Sequence, residues 1–188
     1  MTLNDIYRFI WQSLQAGASP ERAPLTLWQL ATIGLNGAPQ VRTVVLRAAD
    51  EGAGTLCFHT DRRSTKLAEL QADPRVSMVA VDPNNQLQLR IEGVATLCED
   101  EEEKRAAWSA ARPHTLILYQ TPLPPGIAIT APEDGERQEN VASDGYQNFA
   151  LIRIAVSRFD YLHITPERHR RAVFTAASPT WAAQWVAP

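Results

Sequence analysis

The sequence has only two cysteines, Cys57 and Cys98, far apart and outside any CxxC spacing. That excludes a disulfide framework and fits reduced thiols in a cytoplasmic protein, where small cysteines act as core hydrophobes. It has no apolar run long enough to span a bilayer. The start, MTLNDIYRFIWQSLQAG, carries Asp5 and Arg8 inside its apolar pattern and reads as neither signal peptide nor membrane span. Nor is there an excess of positive charge: 18 basic against 21 acidic side chains leave a net charge of -3. No overall field gathers nucleic acid or an anionic membrane, so any anion site must be local. Also missing are a GxSxG elbow, GxGxxG and GxxxxGK[ST] phosphate loops, an HExxH helix and paired Cys-His spacing. The four histidines, His59, His114, His163 and His169, are scattered, and no metal site is expected.

What is present reads mostly as strands. With 45% hydrophobic residues, the chain is sized for one well-buried domain, expected over residues 1–188. Leu3, Ile6, Ile10 and Leu14 repeat at helical spacing, with Tyr7 and Trp11 widening the stripe; this predicts an N-terminal helix over 1–18, punctuated by Gly17 and Pro20. Asn36-Gly37 signals a tight hairpin turn between strands near Leu25–Leu35 and Gln40–Arg47. GTLCFHT predicts a third strand, RVSMVAVD a fourth. In QLQLRIEGVATL, Leu87, Leu89 and Ile91 alternate with Gln88, Arg90 and Glu92, and the alternation slips at Gly93, which predicts a fifth strand bent by a bulge. NFALIRIAVSRFDYLHI and RRAVFTA add strands before a short tail holding Trp181 and Trp185.

Two short helices are expected between strands. STKLAELQAD has Ser64 as N-cap and Asp73-Pro74 as stop, and EDEEEKRAAWSAA places acids in its first turn and bases in its second, closed by Pro113. The Pro/Gly-rich segment 122–146 reads as an exposed loop. Seven or eight strands with few helices do not make a βαβ alternation. The expected fold class is mainly β: an antiparallel barrel with helical additions.

One stretch, FHTDRRSTKLAEL, concentrates cations and hydroxyls at a helix start. Unpaired N–H groups there favour an anion, and Arg63, the hydroxyls of Ser64 and Thr65, and Lys66 would surround the same point. A phosphate fits; a solvated helix start is the alternative. In VRTVVLR, Arg42 interrupts an apolar strand and needs an anionic or carbonyl partner, unless it reaches water at a strand edge. Gln88 offers donor and acceptor together, which suits the mixed N–H and C=O edge of a heterocycle, or faces outward from a half-exposed strand.

Three motifs stand in order: RTVVLR, FHTDRRSTK followed by DPRVS, and LQLRIEG. On these the chain resembles the pyridoxamine 5'-phosphate oxidase-like FMN-binding split barrels, in particular their oxidase-related branch without an assigned substrate. The likeness runs from about Leu25 to the C-terminus and is strongest between Pro39 and Gly93. It implies a Greek-key split barrel, FMN as cofactor, and a homodimer with FMN at the subunit interface, acting on a small molecule in the cytoplasm.

By position, the resemblance implies that Arg42, Thr43, Val44, Val45, Leu46 and Arg47 form a strand along the flavin, with Arg42 at its phosphate. His59 and Thr60 would lie along the cofactor, and Ser64 and Lys66 at the phosphate. Thr65 stands where the family has arginine, and Arg63 would supply that charge from the other side. Gln88 matches the glutamine that bonds the isoalloxazine ring. Gln120 and Thr121 stand for a Gln-Ser pair reaching from the partner subunit, and Arg171 is assigned to the cofactor, while Leu162 replaces a flavin-contacting tryptophan.

The substrate-phosphate trio of tyrosine, arginine and serine becomes Trp108, Arg112 and Leu116, and the arginine-x-histidine element is not reproduced in PERHRRAVF. Cofactor contacts are thus kept and substrate contacts changed, and no catalytic side chain is identified. The resemblance implies an FMN-dependent oxidoreductase transferring hydride at the flavin to or from an unidentified small substrate. Open beside it are a flavin carrier or sensor without turnover, a genuine pyridoxamine 5'-phosphate oxidase, and a site for another phosphorylated ligand of the haem-pathway or deazaflavin kind.

Overall fold

The structure, a computed structural model, describes residues 1–19, 21, 23–136, 144–177 and 180–188. The stop expected at Pro20 and residues 137–143 of the expected loop lie outside the described residues. Helix α1 (Leu3–Ala18) opens with a capping box: the Thr2 hydroxyl accepts from the Asp5 N–H, and the Thr2 N–H donates to the Asp5 carboxylate at 2.7 Å. Its stripe of Ile6, Ile10, Trp11 and Leu14 is buried, and burying each such side chain contributes about 1.5–3 kcal/mol.

The hairpin of β1 (Leu27–Ile33) and β2 (Pro39–Asp50) turns around Asn36-Gly37, where Gly37 takes a φ of 80°. Strand β3 (Thr55–Asp61) completes a meander, and α2 (Thr65–Ala72) leads to β4 (Arg75–Asp82), which returns beside β1. A fourth strand lying beside the first is the Greek-key connection. After β5 (Leu87–Leu97), the helices α3 (Glu101–Ala110) and α4 (Pro113–Leu116) lead to β6 (Phe149–Ile164). Strand β6 pairs with both β5 and β3, closing a six-stranded antiparallel barrel. At 16 residues it outlasts the barrel, and its far half carries β7 (His169–Ala177) and β8 (Thr180–Val186). The expected mainly β Greek-key barrel with helical additions is the fold observed. Among the described residues, no helix is long and apolar enough to cross a membrane.

Three local expectations are corrected. Between Glu92 and Gly93 the partner on β6 jumps from Arg158 to Val156, so the extra residue of the bulge is Ser157 on β6. On β5 the alternation continues unbroken, with Ile91, Gly93 and Ala95 all buried. Gly93 marks close packing: a Cβ there would lie 2.5 Å from the Ala155 carbonyl oxygen. Pro113 does not close α3, which ends at Ala110; it occupies the first turn of α4, where a proline gives up no helical hydrogen bond. The tail with Trp181 and Trp185 is strand β8, held by its ladder to β7 and by Trp181 packing 5.1 Å from the Phe159 ring.

Candidate functional site

A cavity of about 850 Å³ opens on the outside of the barrel, in the size range of small-molecule sites. Its floor is the outward face of two strands: Thr43, Val45 and Arg47 on β2, and Cys57 and His59 on β3. These alternate with Val44, Leu46, Leu56 and Phe58, which fill the barrel, so the same period of two that builds the core also paves the floor. A register shift between Leu46 and Ala48 leaves Arg47 as the extra residue opposite β3.

The roof is α3 and the chain that follows it. Glu103, Ala106, Ala107 and Ala110 recur at i, i+3, i+4 and i+7, one face of a helix, and all line the cavity. Alanines there stop short of the floor and leave space rather than packed core. The helix is fastened by Glu103, which pairs with Arg153 of β6 and accepts from the Cys98 thiol at 3.2 Å. Beyond α3, Arg112, Thr115, Leu118 and Tyr119 continue the wall. The Asn148 amide donates to the Tyr119 carbonyl at 2.8 Å, and burial pushes the Tyr119 phenol up to about 12, so it stays protonated.

Lys66, in the first turn of α2, also lines the cavity. Its ammonium donates to the Thr60 hydroxyl at 2.7 Å and lies 3.5 Å from that of Ser64. Burial, and then the charge of Arg42, hold its pKa below the usual lysine value. Among the described residues no carboxylate forms an ion pair with it. Ser64 sits at the N-cap position, but its hydroxyl donates to the Asp61 carbonyl at 2.7 Å instead of capping the helix. His59 shares the floor, edge-on to Phe149 at 4.7 Å between ring centres. Burial, and then Arg47, push it down to about 4, so its ring is neutral near pH 7.

Thus the structure brings together, around one cavity, Thr43, Val44, Val45, Leu46, Arg47, His59, Lys66 and Arg112, with Thr60 and Ser64 beneath the lysine. Arg42 is not in the cavity wall: its guanidinium bonds to Thr32 and, at 2.5 Å, to Glu69. Arg63 is committed to Asp61, at 2.7 and 3.0 Å, and to the Thr121 carbonyl at 3.0 Å, tying the end of β3 to the segment after Tyr119. Thr65 begins α2. The Gln120 amide nitrogen donates to the Asp144 carbonyl at 3.2 Å, and its oxygen is buried with no partner among the described residues.

Trp108 packs against Tyr119, Tyr146 and Phe149 and so braces the roof. Gln88, Leu162 and Arg171 stand in one register row across β5, β6 and β7, outside the cavity wall, where Arg171 pairs with Asp160 through two bonds of 2.9 and 2.8 Å. Sequence reasoning missed the alanine face of α3, whose signal was present in KRAAWSAA but reads first as helix propensity. It missed Glu69 as well. Among the described residues no group of three or more His, Cys, Asp or Glu side chains could hold a metal ion.

A family model described as pyridoxamine 5'-phosphate oxidase matches residues 23–163, a span that takes in the barrel strands and both floor and roof of the cavity. The chain is similar to pyridoxine/pyridoxamine 5'-phosphate oxidase 2 of Arabidopsis thaliana, with 27% identity over 164 residues, 82% of this chain and 83% of that protein. With the pyridoxine/pyridoxamine 5'-phosphate oxidase of Anaeromyxobacter dehalogenans the identity is 40% over 87 residues, but that stretch is 46% of this chain and only 42% of the relative. The solved structure of a pyridoxamine 5'-phosphate oxidase-related, FMN-binding protein from Nostoc punctiforme superposes with a TM-score of 0.76 over 100% of this chain and 98% of that one; at 22% identity this shows a shared fold. By the span of the family match, and with the barrel and cavity it encloses, the chain belongs to the pyridoxamine 5'-phosphate oxidase family.

Proposed function

We propose that the protein binds FMN in this cavity and works as an oxidoreductase on a small substrate. The observation that carries the reading is Lys66: a largely buried ammonium facing an 850 Å³ cavity, with hydroxyls beside it and, among the described residues, no carboxylate paired to it. Burying a charge unpaired is unfavourable, and a phosphate there would restore the balance. The alternating outer face of β2 gives an aromatic ring system a surface to lie on, and the family relationship supports a flavin as that ring. When bound, the flavin would supply hydride exchange at its N5.

The chain supplies position and environment. Lys66, with the hydroxyls of Thr60 and Ser64, would hold the phosphate. Thr43, Val45 and Arg47 would underlie the ring, and the cation of Arg47 would favour negative charge on the reduced ring. His59, neutral, would serve as a hydrogen-bonding wall rather than a charge. The alanines of α3 and the Tyr119 phenol would cover the ring while leaving room for a second molecule, and Arg112 would give that molecule's anionic group a partner.

A homodimer follows as part of the same proposal. Gln88 and Arg171 lie outside the cavity wall, so a contribution from them to a flavin would come from a second copy. Leu27 on β1, Val41 on β2 and Val81 on β4 are exposed apolar residues on neighbouring strands, and Leu27 itself borders the cavity, which supports a covering subunit there. The reduced thiols are consistent with a cytoplasmic setting.

The test is spectroscopic. Protein stripped of ligand and titrated with FMN should take it up with quenched flavin fluorescence; protein that stays colourless refutes the reading. Anaerobic bleaching by NADPH, NADH, pyridoxine 5'-phosphate or pyridoxamine 5'-phosphate, reversed by air, separates an enzyme from a carrier.

A further inference from the structure

Glu69 is a carboxylate with 3% of its surface exposed, three residues along α2 from Lys66. Acidic side chains are rarely buried so completely unless paired, because losing water costs an unpaired carboxylate several kcal/mol. Here the pairing is a closed ring of three side chains from three elements. The Arg42 guanidinium on β2 donates to Glu69 Oε2 at 2.5 Å through Nη2, and to the Thr32 hydroxyl on β1 through Nη1. The Thr32 hydroxyl in turn donates a hydrogen bond to Glu69 Oε2 at 2.6 Å. Both bonds end on Glu69 Oε2, so one oxygen of α2 is held at once from β1 and from β2.

We infer that Glu69 is the positioning residue of the anion site: it locks Arg42 and the first turn of α2 into one unit, so that Lys66 is presented to the cavity at a fixed height above β2. The carboxylate itself is buried and lies outside the cavity wall. Burial and then Arg42 disfavour the charged form of Lys66, while Asp61 and after it Glu69 favour it. Without Glu69, Arg42 would face a buried hydroxyl and an unmet charge, and α2 would lose its only ion pair to the β1–β2 hairpin among the described residues.

This inference rests on the proposal that the anion is a flavin phosphate, and the experiment separates the two. FMN and riboflavin differ only in the phosphate, so the ratio of their affinities, measured by fluorescence quenching, reads the anion site alone. In Glu69→Gln, which keeps shape and loses charge, FMN should bind at least about tenfold more weakly, as for other residues that orient a binding group from behind, with riboflavin changed less than about twofold. An unchanged or tighter FMN affinity in Glu69→Gln overturns the inference, because it would mean the carboxylate merely competes with the phosphate for Arg42. Should Glu69→Gln fail to fold, Thr32→Val removes one corner of the ring and must lower the same ratio; an unmoved ratio there also overturns it. A wild-type protein that binds neither FMN nor riboflavin overturns the flavin reading itself, and the inference with it.

Discussion

Lys66 and His59 line the same cavity and respond to burial in the same direction, both becoming harder to protonate, but with different consequences. Lys66 stays a cation because its ordinary value is far above neutrality, so it offers a charge whose counter-ion must come from a ligand. Lys66→Met should therefore weaken FMN by roughly 10- to 100-fold, the worth of about 1.5–3 kcal/mol for a hydrogen-bonded charge, and leave riboflavin nearly unaffected in the same titration. His59 carries no charge near pH 7, and its effect is on stability. Its folded pKa of about 4 lies below the ordinary 6.5, so the unfolded chain takes up this proton first as pH falls. Stability is undiminished above pH 6.5 and declines between pH 6.5 and 4, by on the order of 2 kcal/mol once the ring's residual solvent contact is allowed for. Urea unfolding across that window should show the decline in wild type and lose most of it in His59→Gln.

At the scale of elements, β5 and α1 were legible because each carries a clean local period: two on β5, where Leu87, Leu89 and Ile91 point inward, and 3.6 on α1. The bulge was misassigned to β5 because a glycine can mark either an extra residue or a close approach of backbones, and only the partner strand decides which. At Gly93 it is close approach. Gly93→Ala should destabilise the barrel by about 2–3 kcal/mol, seen as a lower urea midpoint, since the added methyl meets backbone that cannot swing aside. Strand β8 went unread because TWAAQWV has no alternation of its own and is held by β7. Alanines on α3 made a roof with space beneath it. Ala106→Trp, on the exposed cavity face, should leave the unfolding free energy from urea titration within about 0.5 kcal/mol of wild type while reducing flavin uptake severalfold.

For the whole molecule, the proposed cofactor site has its phosphate end in one barrel, while Gln88 and Arg171 stand on the strands leading to β8. Sedimentation should report a dimer, and Val41→Asp, which charges the outer face of β2 at a residue 65% exposed in the single chain, should shift it toward monomer and weaken FMN together. A monomer that binds FMN as tightly as wild type would remove the second copy from the site. By itself the sequence determined the strands up to β7, the faces they turn inward, the hairpin at Asn36-Gly37 and the closeness of Lys66 to the Ser64 hydroxyl. Those are local properties, written in periods of two and 3.6 and in turn residues that need a particular backbone angle. Only the tertiary structure decided that Arg42 is tied to Glu69 and Arg63 to Thr121, and that an alanine face stands over β2 and β3. Each of those joins residues distant in the chain, and a side chain's pattern of neighbours in sequence carries no record of which distant element will come to lie against it once β6 closes the barrel.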